Sequence, residues 1–137
     1  MKNVPPIGTS LETTRTVGPE DVITFATAGG PGVLSTPRLI DWIERTAREA
    51  LQPFLETGES SVGAAIELRH LTPSPQGAQV TVLARVIRVD GRAVCFQVEA
   101  RDAGELIARG LHERVVIRVD RFRQRVEGKK SQSSPTG

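Results

Sequence analysis

Polar and apolar side chains alternate from Leu11 to Val17, the two-residue period of a half-buried strand, and Pro19, Glu20 and Asp21 then read as a short helical turn. Ala28 to Gly32 (AGGPG) cannot hold regular structure cheaply and reads as a loop, placed where it can rim a pocket before the main helix. That helix is the clearest element. At about 100° per residue, Leu39, Ile40, Ile43, Ala47, Ala50 and Leu51 fall on one stripe that must pack against something flat. Thr36 reads as its cap, Pro37 suits its first turn and Pro53 stops it near Gln52. Trp42 lies off the stripe, open between secondary packing and a subunit contact.

After the turn-like ETGESS come four runs of strand chemistry: Val62 to His70, Ala78 to Val89, Arg92 to Ala100, and Leu106 to Val119. TPSPQG, the hairpin signal Asp90-Gly91 and DAGE separate them, so neighbours are mostly antiparallel. One strand, one long helix and four further strands make an α+β domain in which an antiparallel sheet wraps a central helix. That is the element order of a hotdog fold, although periodicity equally allows other α+β sandwiches.

Length and composition narrow this picture. At 137 residues the chain suits one domain, expected over residues 1–122, followed by a polar, basic and flexible tail over 123–137. Hydrophobic and charged fractions of 38% and 25% exclude wholesale disorder. No apolar run is long enough for a membrane span and the first residues lack a signal-peptide core, so the expectation is a cytoplasmic protein with no membrane partner. A pI of 9.2 invites a nucleic-acid reading. The basicity, however, belongs to the end: residues 118–137 carry six Lys/Arg against two Asp/Glu, while the first 117 residues hold 12 against 14. The tail reads as solvated, with weak contact to anions as the alternative; a mildly acidic body without a base-stacking aromatic set argues against a nucleic-acid partner. One cysteine, Cys95, and two histidines make neither an internal disulfide nor a zinc site of standard spacing; Cys95, between Val94 and Phe96, reads as packing rather than as a nucleophile.

A few polar residues sit where structure alone does not ask for them. His70 ends its strand in phase with Ala64, Ile66 and Leu68, the side facing the helix, as a satisfied core histidine or as a catalyst. Glu44 borders the apolar stripe beside Ile40 and Ala47, either paired with Arg48 on the surface or turned to a pocket. Thr36 lies eight residues earlier, roughly 80° around the helix, as a cap or as a site hydroxyl. A helix laid over the strand ending in His70 brings hydroxyl, carboxylate and imidazole toward one pocket, a set suited to attack on a carbonyl. Gly63 marks a bulge or admits a ligand. His112 and Arg114 share a strand face that the pattern does not assign, and Arg114 has Glu44, Glu113 or an anionic substrate group as candidate partners.

At these residues the sequence resembles the fluoroacetyl-CoA thioesterase family of hotdog enzymes, most strongly over Leu55 to Gly63, Arg69-His70 and Gly110 to Ile117, within a similarity from Val17 to Phe122. The resemblance implies Thr36, Glu44 and His70 as catalytic residues and Gly63 and Arg114 as substrate-binding residues. It also implies acyl-CoA hydrolysis with no metal or redox cofactor, and a homodimer joined sheet edge to sheet edge with its active sites at the interface. One departure concerns the substrate. Fluoroacetyl-specific members carry a longer, aromatic-rich lid before the catalytic threonine, whereas Phe25 is the only aromatic between Val22 and Thr36 here. The expected activity is thus hydrolysis of a small acyl-CoA, with a non-catalytic acyl-CoA-binding hotdog protein as the alternative.

Overall fold

The structure, a computed structural model, describes residues 1–24 and 29–133. Its main sheet has five strands: β1 (Ser10–Thr16), β4 (Glu59–His70), β5 (Gln79–Asp90), β6 (Ala93–Asp102) and β7 (Glu105–Arg118). They lie in the order β1-β5-β6-β7-β4, every neighbouring pair antiparallel. Two short strands, β2 (Val22–Ile23) and β3 (Val33–Leu34), pair with each other beside it. The long helix α1 (Thr36–Leu51) lies across the inner face against β1, β4, β5 and β7, the α+β hotdog arrangement the pattern anticipated.

The core follows the two periodicities. Leu39, Ile43, Ala47, Ala50 and Leu51 of α1 are buried against Val80, Val82, Ala84 and Val86 of β5 and Val94, Phe96, Val98 and Ala100 of β6. Each large side chain so buried contributes about 1.5–3 kcal/mol before conformational entropy is charged against it, so this layer fixes α1 to the sheet. Trp42 is buried in the same cluster, which settles it as packing within the subunit. Thr46 joins it by accepting or donating at the Thr13 hydroxyl, 2.7 Å away, across to β1. Cys95 alternates outward and is half-buried.

Three features depart from the sequence reading. Ser35, not Thr36, caps α1: its Oγ accepts the Arg38 backbone N–H at 3.2 Å, and Thr36 is already helical. β4 carries an irregularity between Gly63 and Ala65, with Gly63 opposite Arg114 and Ala65 opposite Glu113, so its two halves face the helix with different parity. The last strand ends at Arg118 and the chain continues as a second helix, α2 (Val119–Ser133), exposed from Asp120 to Gln132, where an unstructured tail was expected. Its Arg, Gln, Glu and Lys residues are good helix formers, a propensity that the small polar end of the chain masked. Residues 134–137 of that tail, and Phe25 to Ala28 of the expected pocket rim, lie outside the described residues.

Candidate active site

Because Ser35 supplies the helix cap, the Thr36 hydroxyl is released from that duty. It lies 2.8 Å from His70 Nδ1, at the far end of β4. His70 is half-buried, and its Nε2 is buried without a partner among the described residues. If Nδ1 donates to the threonine, Nε2 presents a lone pair; if Nδ1 accepts, Nε2 presents an N–H. Either tautomer leaves Nε2 with hydrogen-bonding capacity that no described residue uses, an unusual state for a buried ring nitrogen. Burial lowers the His70 pKa, which keeps the ring neutral near pH 7. Ile23, Val33, Leu34, Leu71 and Pro73 complete an apolar cavity of about 230 Å³ around the pair.

Glu44 belongs to a second cluster. Its Oε2 lies 3.6 Å from Arg114 Nη1, while the surface pair on this helix is Arg45 with Asp41, so the proposed Glu44–Arg48 pairing gives way to Arg114. Arg114 is only 4% exposed and every part of its fork is used. Nε donates to Ser61 Oγ at 2.9 Å, Nη2 to the Ser61 carbonyl at 3.0 Å, and Nη1 to the Glu44 carbonyl at 3.4 Å. Nη1 also lies 3.2 Å from His112 Nε2, and His112 Nδ1 lies 2.9 Å from the Ala65 carbonyl. A carbonyl can only accept and a guanidinium can only donate, so His112 is neutral with its proton on Nδ1. Burial pushes its pKa down, the Ala65 bond opposes this, and the Arg114 charge adds to it. Burial likewise lowers Arg114, against the pull of the Glu44 carboxylate.

Gly63 completes this cluster. A Cβ there would run into Glu44 Oε2 and sit 3.4 Å from His112 Cε1, so the carboxylate lies over bare backbone. The bulge reading of this glycine holds, since the β4 irregularity begins at it, and what its bare backbone admits here is the Glu44 carboxylate. Glu44, Gly63, Ala64, Ala65, Ile66 and His112 line a cavity of about 260 Å³.

Within one subunit, then, Thr36 meets His70, and Glu44 meets Gly63 and Arg114. The two groups do not touch: eight helical residues put Thr36 and Glu44 about 12 Å apart along α1. The sequence reading singled out neither Ser61 nor a role for His112. Strict alternation from His70 puts Ser61 and Gly63 on the outer face, and only the irregular step between Gly63 and Ala65 turns them inward. His112 had a visible signal, a histidine two residues before Arg114 and in phase with the apolar Val116, which fixes both on the buried face.

The model of a family described as fluoroacetyl-CoA-specific thioesterase matches residues 17–120. A fluoroacetyl-CoA thioesterase of Streptantibioticus cattleyicolor is 36% identical over 107 residues, covering 78% of this chain and 74% of that protein. The solved structure of the fluoroacetyl-CoA thioesterase FlK is similar with a TM-score of 0.85 at 30% identity, covering 97% of this chain and 100% of the other. A thioesterase superfamily member from Thermus thermophilus reaches 0.85 at 31% identity, over 93% of this chain and 94% of its own. A hot-dog-like protein from Thermanaerovibrio acidaminovorans reaches 0.83 at 32%, over 90% and 92%.

Proposed function

The chain belongs to the fluoroacetyl-CoA-specific thioesterase family and is a thioester hydrolase, and from that premise we propose that it cleaves a small acyl-CoA to the free acid and CoA at a site formed by Thr36, Glu44 and His70. The observation that carries the reading is the Thr36–His70 contact at 2.8 Å, made by a threonine that the helix does not need as a cap and a histidine whose other nitrogen is buried and unpaired among the described residues. Glu44 attacks the thioester carbonyl or draws a proton from the water that does. Thr36 orients the carbonyl, and His70 delivers a proton to the departing sulfur as the C–S bond breaks. Water ends as the acid's hydroxyl and the thiol leaves as free CoA, a balance that requires no metal or redox partner. Gly63 and Arg114 shape the substrate side of Glu44.

The separation of the two groups is the reason we assign a homodimer. β4 is an edge strand, with Gly63, Ala64 and Ala65 exposed on it and an unpaired row of backbone groups. Antiparallel pairing of two β4 edges about an axis at Glu67, with Ala64 left over at the irregular step, sets His70 of one protomer opposite Gly63 of the partner subunit. Each Thr36–His70 pair then lies beside a Glu44 cluster, and the full site exists twice per dimer. Among the described residues no helix is long and apolar enough to cross a membrane, and we place the activity in the cytoplasm.

The test is a panel of acyl-CoA thioesters followed by release of free thiol, with short acyl groups turned over fastest. CoA binding without thiol release across the panel would make this an acyl-CoA-binding protein. Sedimentation at micromolar concentration is expected to give a dimer, and a monomer with full activity would rule out the shared site.

A further inference from the structure

The reaction leaves one basic groove unused. Where β7 gives way to α2, Arg92, Arg118, Arg121 and Arg125 surround Phe122 in a cavity of about 220 Å³. Two of the four are tied down: Arg92 Nη1 donates to the Val116 carbonyl at 3.1 Å and lies 3.4 Å from Glu59 Oε2, and Arg118 Nε lies 3.8 Å from Asp120 Oδ1. Arg121 and Arg125 stand one helical turn apart on α2 and, among the described residues, neither has a carboxylate at ion-pair distance. Four guanidinium groups around two carboxylates leave a net positive groove, a clustering of like charge that costs stability unless an anion joins it.

The kind of anion follows from the groove's other parts. Guanidinium forks match phosphate oxygens bidentately, and Phe122, 41% exposed in the same cavity, offers a face on which a purine can stack. Arg118 shares the parity of Arg114 on β7 and lies four residues beyond it, about 13 Å along the strand. An extended pantetheine arm reaches farther than that.

We propose that this groove holds the 3′-phosphorylated ADP end of the acyl-CoA substrate, with the phosphates on Arg118, Arg121 and Arg125 and the adenine on Phe122. The assignment rests on the reading of the chain as an acyl-CoA hydrolase and names where the leaving group's distal end is recognised. The energy gained there positions a thioester whose reacting end offers little to grip.

Calorimetric binding of CoA and of pantetheine, to the wild type and to R121A/R125A, separates the groove from the chemistry. CoA is expected to bind the wild type more tightly than pantetheine, and the double variant to lose about tenfold in CoA affinity while its pantetheine affinity holds. R121K/R125K should recover part of the loss, and the salt dependence of CoA binding should flatten in the alanine variant. In turnover, the ratio of kcat/KM for acetyl-CoA to that for acetyl-pantetheine should fall by the same factor, through KM. Unchanged CoA binding in a folded double variant overturns the proposal, as does loss of oligonucleotide binding with CoA binding intact. Normal CoA discrimination in a wild type that releases no thiol would leave the groove standing and sink only the hydrolase reading.

Discussion

The Thr36–His70 pair and the Glu44–Arg114–His112 cluster share one helix and one sheet face but are built on opposite plans. The first has one side-chain hydrogen bond, an exposed threonine and an imidazole with a spare nitrogen. The second spends nearly every donor of a buried arginine on Ser61, Glu44 and His112, and holds one carboxylate, 43% exposed at its side chain, over a glycine. In the reaction we propose, a proton moves at the first, which suits partners that stay exchangeable, and a negative charge stays put and faces outward at the second, which suits rigidity.

The sharpest way to break this contrast is to neutralise Glu44. Glu44→Gln keeps shape and removes charge, so kcat should fall by about two to four orders of magnitude with the fold intact and the thermal midpoint only modestly lowered, because the buried Arg114 loses its carboxylate. His70→Ala should reduce kcat comparably, and if the site is shared, mixing the two inactive variants should restore activity to a fraction of the heterodimers. Near-wild-type turnover by a folded Glu44→Gln protein would end the catalytic assignment of Glu44.

Gly63→Ala perturbs the second cluster without touching a charge. The new Cβ would meet the Glu44 carboxylate, which must swing away, and we expect kcat to fall by roughly ten- to a hundredfold while KM changes little. An unaffected kcat would show that the carboxylate does not act from the position it occupies here.

This glycine also marks the limit of what the sequence disclosed. The α1 stripe, the Asp90-Gly91 hairpin and the four long strands were legible because each buried residue repeats a period that many neighbours share. Thr36, Glu44, His70, Gly63 and Arg114 stood out as candidates, from their oddness and from resemblance. Their grouping was not, because a single irregular step between Gly63 and Ala65 reverses the parity of half of β4. Ser35 taking the cap was hidden for a similar reason: two adjacent hydroxyl residues both fit that role, and only the Ser35–Arg38 bond decides. The helix α2 was missed because its apolar content is slight and its end resembles a linker.

A smaller effect should appear in the pH dependence of stability. His112 and His70 both have native pKa values depressed by burial, so the neutral rings contribute stability that is complete above the ordinary histidine value of about 6.5. As pH falls toward the native values, the unfolded chain gains protons first and that stability is lost. Protonating His112 would also set an N–H against the Arg114 guanidinium, a repulsion that the nearby Glu44 carboxylate offsets only in part. The thermal midpoint should therefore drop between pH 7 and pH 5. His112→Phe should shrink that drop without abolishing it, because His70 remains; an identical profile in the variant would show that His112 is not the group being protonated.

The mildest test lies at the looser pair, where the difference between the clusters predicts tolerance. Thr36→Ser keeps the hydroxyl on the first turn of α1, with Ser35 still capping the helix, so it should cost no more than a few-fold in kcat and almost nothing in thermal midpoint. Thr36→Val preserves shape and removes the oxygen, leaving His70 Nδ1 as well as Nε2 without a partner at the pocket wall. That should cost about tenfold in kcat and about 1 kcal/mol of stability. If threonine served the fold, serine and valine would differ mainly in stability, and the helix would register the change. If it serves the reaction, they separate in kcat. Equal turnover by the two variants would place the hydroxyl outside the chemistry and leave His70 to work without it.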